Sequence, residues 1–318
     1  MRFSGWVLGA ALLVSVNLRA QAPIERRIPK ASGEDVPTIH VQARLVNVAV
    51  NVVDEKGAPV AGLGRDDFEI SEDGVWQKIA FFEQESSTPL SIVMAIDASE
   101  SVLRNERLER DAAKRFVRTL LRDQDELDLM DFADTVREIV PFTNQKKRIE
   151  EGLGELQHGD ATALYDAIYL GSERLGSTRA DDGRRRVMVL ITDGGDTVKG
   201  THYPQALEQA QRAGAMVYSL IVVPVYADAG RDTGGEHALI QMAIDTGGKY
   251  YYVDDPKDLV AAFAKVSDDL RTQYVIGYYA PENEKAEGLR TIKVQMKDSK
   301  LRDEYQLRYR TGYYGDTK

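Results

Sequence analysis

Apolar and polar positions recur along this chain at two different periods, and the change of period divides it. Between Val36 and about Glu85 the period is two. Ile39, Val41 and Ala43 alternate with polar neighbours; the phase then slips, and Val46, Val48, Val50 and Val52 share one face. A bulge or bend near Leu45 accounts for the slip. Asp54 to Gly57 (DEKG) marks a turn. Phe68 and Ile70 then lead through Glu72 to Gly74 (EDG) into VWQKIAFF, which predicts a second hairpin. From Pro89 strand and helix patterns alternate. Leu90 to Ile96 is a short apolar run of the kind that is buried on both faces of a parallel sheet. Leu108, Ala112, Phe116, Val117 and Leu120 recur at helical spacing. DELDLMDFA and Val136 to Phe142 read as strands, Gln145 to Gln157 and Ala163 to Leu175 as helices, and Arg184 to Asp193 as another buried strand. Helix over Pro204 to Arg212, strand over Ala215 to Val223, helix over Ala238 to Asp245, strand at KYYYV and helix over Asp258 to Leu270 complete the run. The tail returns to period two, at Gln273 to Tyr279, at Ile292, Val294 and Met296, and at Tyr305, Leu307 and Tyr309.

This order predicts an α/β fold: a doubly wound, mostly parallel sheet with helices on both faces. The two β regions, each marginal alone, are expected to join into one accessory sheet formed by the N- and C-terminal segments. At the amino terminus Arg2 precedes an apolar core from Trp6 to Leu18, followed by small residues at Ala20 and Ala22. That core is short for a bilayer span, and the order fits a secretory signal peptide, with an uncleaved anchor as the alternative. The expected boundaries are a signal peptide over 1–20, a tether over 21–35, an N-terminal β region over 36–86, the alternating α/β part over 87–271 and a C-terminal β segment over 272–318. An exported chain, periplasmic or extracellular and without a transmembrane segment once mature, follows from the leader.

Composition narrows the chemistry. At 318 residues, with 43% hydrophobic and 29% charged residues, the chain can bury a sizeable core. Its formal charge is −10, and loss of Arg2 and Arg19 with the leader makes it −12, which argues against a nucleic-acid partner. The absence of cysteine excludes disulfides, thiol nucleophiles, cysteine-based zinc sites and a lipid-modified cysteine. The four histidines, His40, His158, His202 and His237, form no H-x-x-x-H pair for zinc. GRRR (Gly183 to Arg186) reads as a solvated loop ahead of a buried strand, with a docking patch as the alternative.

The candidate chemistry lies where buried strands end. The stretch Pro89 to Ser101, PLSIVMAIDASES, closes on Asp97, Ser99 and Ser101, small oxygen-bearing side chains at alternate positions in a strand-to-helix loop. Such residues also cap helices and satisfy loop amides, so D-x-S-x-S alone is weak. Two further loops strengthen it: HGDATALYDA places Thr162 at the start of a helix, and ITDGGDT places Asp193 at the end of a buried strand. Ligands of open α/β sheets bind at the carboxyl ends of strands, where these loops can converge. Asp97, Ser99, Ser101, Thr162 and Asp193 make an all-oxygen set that suits a hard divalent cation: Mg²⁺, or Mn²⁺ or Ca²⁺. Asp196 reads as a cap or loop residue and His158 as a surface residue.

DASES, the loop threonine and ITDGGD, in this order on an alternating chain, resemble a von Willebrand factor A domain with its metal-ion-dependent adhesion site. DEKGAPVAGLGRDDFEISEDG and the closing RTGYYG also resemble the VWFA-related proteins of acidobacterial type, in which a short β region precedes the A domain. The resemblance covers roughly Leu45 to Tyr314. It implies that Ser99, Ser101 and Thr162 bind the metal directly, that Asp97 and Asp193 act directly or through water, and that a partner's carboxylate completes the shell. Asp160, where a second glycine is frequent, and Glu100, inside the motif, depart from the commoner pattern and add negative charge.

The expected function is therefore an exported, metal-dependent, adhesion-type binding module gripping an acidic side chain of a protein partner, and not an enzyme. A structural envelope scaffold without metal is the alternative. A metal-assisted phosphoester hydrolase fits less well: there is no second aspartate at position 99, no dependable general base and no phosphate-binding lysine in the loops. Nor does a G-x-G-x-x-G follow the first buried strand.

Overall fold

The computed structural model describes residues 45–84, 87–100, 106–178, 183–223, 233–280 and 288–315. The expected leader and tether, the strand pattern up to Ala43, and Ser101 lie outside these residues. The strands are β1 (Leu45–Val53), β2 (Phe68–Glu72), β3 (Val75–Gln77), β4 (Ile79–Glu83), β5 (Leu90–Asp97), β6 (Glu126–Phe132), β7 (Val136–Thr143), β8 (Arg185–Thr192), β9 (Ala215–Val222), β10 (Lys249–Val253), β11 (Tyr274–Tyr279), β12 (Leu289–Met296), β13 (Gln306–Arg308) and β14 (Gly312–Tyr314). The helices are α1 (Glu106–Leu120), α2 (Lys146–Gly152), α3 (Leu164–Ser177), α4 (Tyr203–Ala213), α5 (Thr233–Thr246), α6 (Leu259–Arg271) and α7 (Ser299–Glu304).

The central sheet has the order β10-β9-β8-β5-β6-β7. All its pairs are parallel except β6 with β7. β5 and β9 are buried at every position, the burial expected of strands covered on both faces. On one face Ala112 and Phe116 of α1, Ile149 of α2, and Leu259 and Phe263 of α6 share a core with Ile92, Met94 and Val189. On the other, Leu164 and Ile168 of α3, Ala206 of α4 and Met242 of α5 pack on Val93, Met188 and Val217. The doubly wound expectation is met. Helix α2 ends at Gly152, well short of Gln157. Leu108, placed by its spacing on the buried face of α1, is 41% exposed.

The flanking β segments do join, but as two four-stranded sheets and not one. Their orders are β13-β1-β11-β4 and β14-β12-β2-β3, with every pair antiparallel. The hairpin from β2 to β3 turns at Asp73 and Gly74, both at positive φ (48° and 80°). The chain then crosses at Lys78, so the two halves of VWQKIAFF pair with different sheets. Each strand has one apolar face, and a second sheet laid over that face buries it where sideways extension could not. Val46, Val48, Val50 and Val52 meet Ile70, Ile292, Val294 and Met296 in that core.

Both connections between the sandwich and the central sheet lie at the amino ends of the parallel strands. Arg185, at the start of β8, donates through Nη1 to Leu270 O (2.7 Å) and Gln273 Oε1 (2.6 Å), and through Nη2 to Thr88 O (3.5 Å). Its amide donates to Pro89 O at 2.9 Å. One side chain thus ties the segment leading into β5 to the segment leaving α6. Arg184 donates to Leu90 O and Gln124 O (2.8 Å each), and Arg186 to Ala213 O (2.8 Å) and Thr178 O (2.9 Å). The GRRR run is therefore neither a solvated loop nor a docking patch; its arginines are spent on main-chain carbonyls. With the sandwich at this end, the carboxyl ends of the strands are left to the candidate loops.

Candidate functional site

Asp97 closes β5 and is 2% exposed. Its Oδ1 accepts from Ser99 N (2.9 Å) and its Oδ2 from the Thr192 hydroxyl (2.7 Å). The Ser99 hydroxyl bonds to it as well. Burial pushes the Asp97 carboxyl up to about 6 against the pull of those hydrogen bonds, and the neighbouring charge of Asp193 adds to the rise. The groups acting most strongly on it are hydroxyls, an amide and a second carboxylate; none is a cation. Ser99 is 2% exposed and forms an isolated parallel bridge with Gly159. Through this bridge, and through Gly159 N to Ala98 O (3.3 Å), the first loop is fastened to the loop carrying Thr162.

Thr162 is 6% exposed, just ahead of α3. Its amide donates to Thr197 Oγ1 at 2.8 Å, and its carbonyl accepts from Thr197 N at 2.9 Å. Among the described residues its hydroxyl makes no hydrogen bond. Asp193 follows β8 and is half-buried, and its carboxylate likewise makes no hydrogen bond among the described residues. Gly194 next to it holds φ at +100° and lies against α5, 3.3 Å from Glu236 N for an added Cβ, so only glycine fits there without strain. The structure thus gathers Asp97, Ser99, Thr162 and Asp193 at the carboxyl ends of β5 and β8 through interlocked loops. Ser101 lies outside the described residues.

Asp196 accepts from Tyr165 N at 3.2 Å, at the first turn of α3, a cap supplied from the neighbouring loop. Burial raises its carboxyl, opposed by the Tyr165 and Leu164 amides. His158 is exposed, with Nδ1 3.3 Å from Ala98 O. Three contributors escaped the sequence reading: Thr192, Thr197 and Asp134, whose carboxylate accepts from the amides of Asp160 and Ala161. Thr192 and Thr197 carried a signal, because both lie in ITDGGDT; Asp134 lies in no motif.

Among the described residues no three His, Asp or Glu side chains gather into a metal cluster. The donors here are two carboxylates plus hydroxyls, a set that hard cations take. The von Willebrand factor type A domain profile matches residues 91–265, more than half of the chain. The chain belongs to that family. The A domain so matched runs from the second residue of β5 into α6 and includes all three loops. Among solved structures the chain is similar to a von Willebrand factor type A protein from Catenulispora acidiphila (12% identity, 84% of this chain, 72% of that one, TM-score 0.50). It is similar also to proximal thread matrix protein 1 from the mussel byssus (15% identity, 63% of this chain, 51% of that one, TM-score 0.51). A third is BatB from Bacteroides thetaiotaomicron (23% identity, 56% of this chain, 98% of that one, TM-score 0.43). No curated protein matches the chain. Among the described residues no helix is long and apolar enough to cross a membrane.

Proposed function

We propose that the protein is an exported binding module of the VWFA-related kind in which a short β region precedes the A domain. Asp97, Ser99, Ser101, Thr162 and Asp193 hold a divalent cation, Mg²⁺ or else Mn²⁺ or Ca²⁺. When bound, the cation supplies a positive focus in a negative protein and grips a carboxylate of a protein partner. The supporting observation is that two acids meet at the strand ends, one of them 2% exposed, among hydroxyl donors and, among the described residues, without a basic side chain to balance them. Buried charge of that kind calls for a counter-charge. Membership of the von Willebrand factor type A family is what supports a module for binding; the thread matrix protein adds only a shared fold. The test is calorimetric titration of the full chain with Mg²⁺ and Mn²⁺, beside Ser99→Ala/Ser101→Ala. Binding by the wild type and its loss in a folded double variant is the expected result. No heat of binding in the wild type at millimolar cation would sink the reading.

A further inference from the structure

The loop carrying Thr162 is held from two sides, by Asp134, which lies in no motif, and by Thr197, the last residue of ITDGGDT. On one side, past the end of β6, the Asp134 carboxylate accepts from Ala161 N (2.9 Å) through Oδ1 and from Asp160 N (3.4 Å) through Oδ2. Ala133 O accepts from Ala163 N at 2.8 Å. Gly159 makes room for this clamp, since an added Cβ would fall 2.3 Å from Asp134 Oδ2 and 2.9 Å from Ala133 Cβ. On the other side Thr197 takes both main-chain polar groups of Thr162, accepting from its amide and donating to its carbonyl. That leaves the hydroxyl as the one polar group of Thr162 not engaged among the described residues. Asp134 is exposed and lies beside the candidate site, so it could pass for a ligand. Its two oxygens are instead directed at amides.

We propose that Asp134 and Thr197 are positioning residues that present the Thr162 hydroxyl to the cation. The inference rests on the metal-site reading above and adds to it the means by which the second and third loops act together. A hydroxyl donates a lone pair usefully only at a fixed place, and a loop free to move would have to be ordered at the expense of binding. Thr197 acts through the main chain of Thr162, and Asp134 through the two residues before it; neither needs to touch the metal.

The experiment is Mg²⁺ titration of the full chain and of Thr197→Val, Thr197→Ser and Asp134→Ala, with thermal unfolding in chelator as the control for folding. Thr197→Val keeps the shape but loses the acceptor, and Thr197→Ser restores it. The expected result is affinity about tenfold weaker in Thr197→Val and Asp134→Ala, the scale of one lost hydrogen bond, and wild-type affinity in Thr197→Ser. Melting in chelator should be unchanged in Thr197→Ser and should fall in Thr197→Val by no more than the few degrees that one lost hydrogen bond costs, with unfolding still cooperative. If the wild type binds and Thr197→Val and Thr197→Ser bind alike, the positioning role is overturned while the metal site stands. If Asp134→Ala alone binds as the wild type, the Asp134 half is overturned. A wild type that binds no cation overturns the site itself.

Discussion

The two ends of the central sheet treat buried charge in opposite ways. At the amino ends, where the sandwich joins, charge is matched. Arg185 is 9% exposed and its guanidinium is pulled down to about 10 by burial, yet the charges of Asp125 and Glu83 act on it and it meets three neutral acceptors, leaving only its Nε without a hydrogen bond among the described residues. Nearby, Asp269 accepts from Tyr251 OH (2.8 Å) and Arg308 Nη2 (3.0 Å). At the carboxyl ends, among the described residues, Asp97 has hydroxyl and amide donors but no cation, and Asp193 has neither. A protein interior favours the first arrangement for stability. The second makes sense as a place reserved for something that arrives from outside. One sheet therefore has an end that holds the molecule together and an end left chemically unfinished.

The comparison breaks most sharply at Arg185. Arg185→Ala strips the acceptors at Leu270, Gln273 and Thr88 of their donor and should cost roughly 3 kcal/mol in urea denaturation, while Mg²⁺ affinity stays at the wild-type value. A loss of affinity with stability intact would show that the two ends are not separable in this way. A smaller effect is expected at Gly159→Ala, whose methyl group must displace the Asp134 carboxylate. Stability should fall by about 1–2 kcal/mol, the usual cost of a local steric conflict, and cation affinity should fall with it. Affinity unchanged in that variant would mean that the loop tolerates the shift.

A third buried acid, midway along the sheet, sharpens the contrast. Asp128 in β6 is fully buried; Arg174 Nε lies 3.4 Å from its Oδ2, and Arg174 Nη2 lies 2.5 Å from Glu138 Oε1. Burial first, then a hydrogen bond with Glu138, pushes the Asp128 carboxyl up to about 8. The folded chain thus keeps a proton that the unfolded chain gives up above its ordinary pKa of 3.8. Asp128 contributes stability that is fully present below about pH 4 and is lost as the pH rises through about 8. Asp128→Asn, which cannot ionise, should gain on the wild type steadily across that window when the two are unfolded in urea at matched pH. A variant stability that does not rise relative to the wild type from pH 5 to pH 8 would refute the assignment.

Much of this architecture was open to reading from the residues. Runs such as Leu90 to Ile96 carry their burial in their composition, and three loops of small oxygen-bearing residues stand out because each follows a strand or opens a helix. What stayed hidden depends on partners distant in sequence. Alternation says that Val46 to Val52 has an apolar face, but not which strands cover it, and so one sheet was expected where two pack together. Charge alone made GRRR look solvated, because the carbonyls that satisfy it come from residues 88 to 270. Asp134 and Thr197 are ordinary loop residues until the fold brings amides to them. Leu108 shows the converse: helical spacing named it a core position, and the neighbouring elements do not reach it.

That the segments around Thr88 and Leu270 leave and return at the same place has a consequence for the order of assembly. The A domain is one continuous stretch inserted between the two halves of the sandwich. During synthesis it can fold as soon as α6 is made, whereas β1 must wait for β11, whose register pairs Leu45 with Tyr279 and Val50 with Tyr274. Contacts so far apart in sequence form slowly. The apolar faces of β1 and β2 are therefore covered only once β11 to β14 are made, and the nascent chain is most vulnerable to misassociation just before those strands emerge.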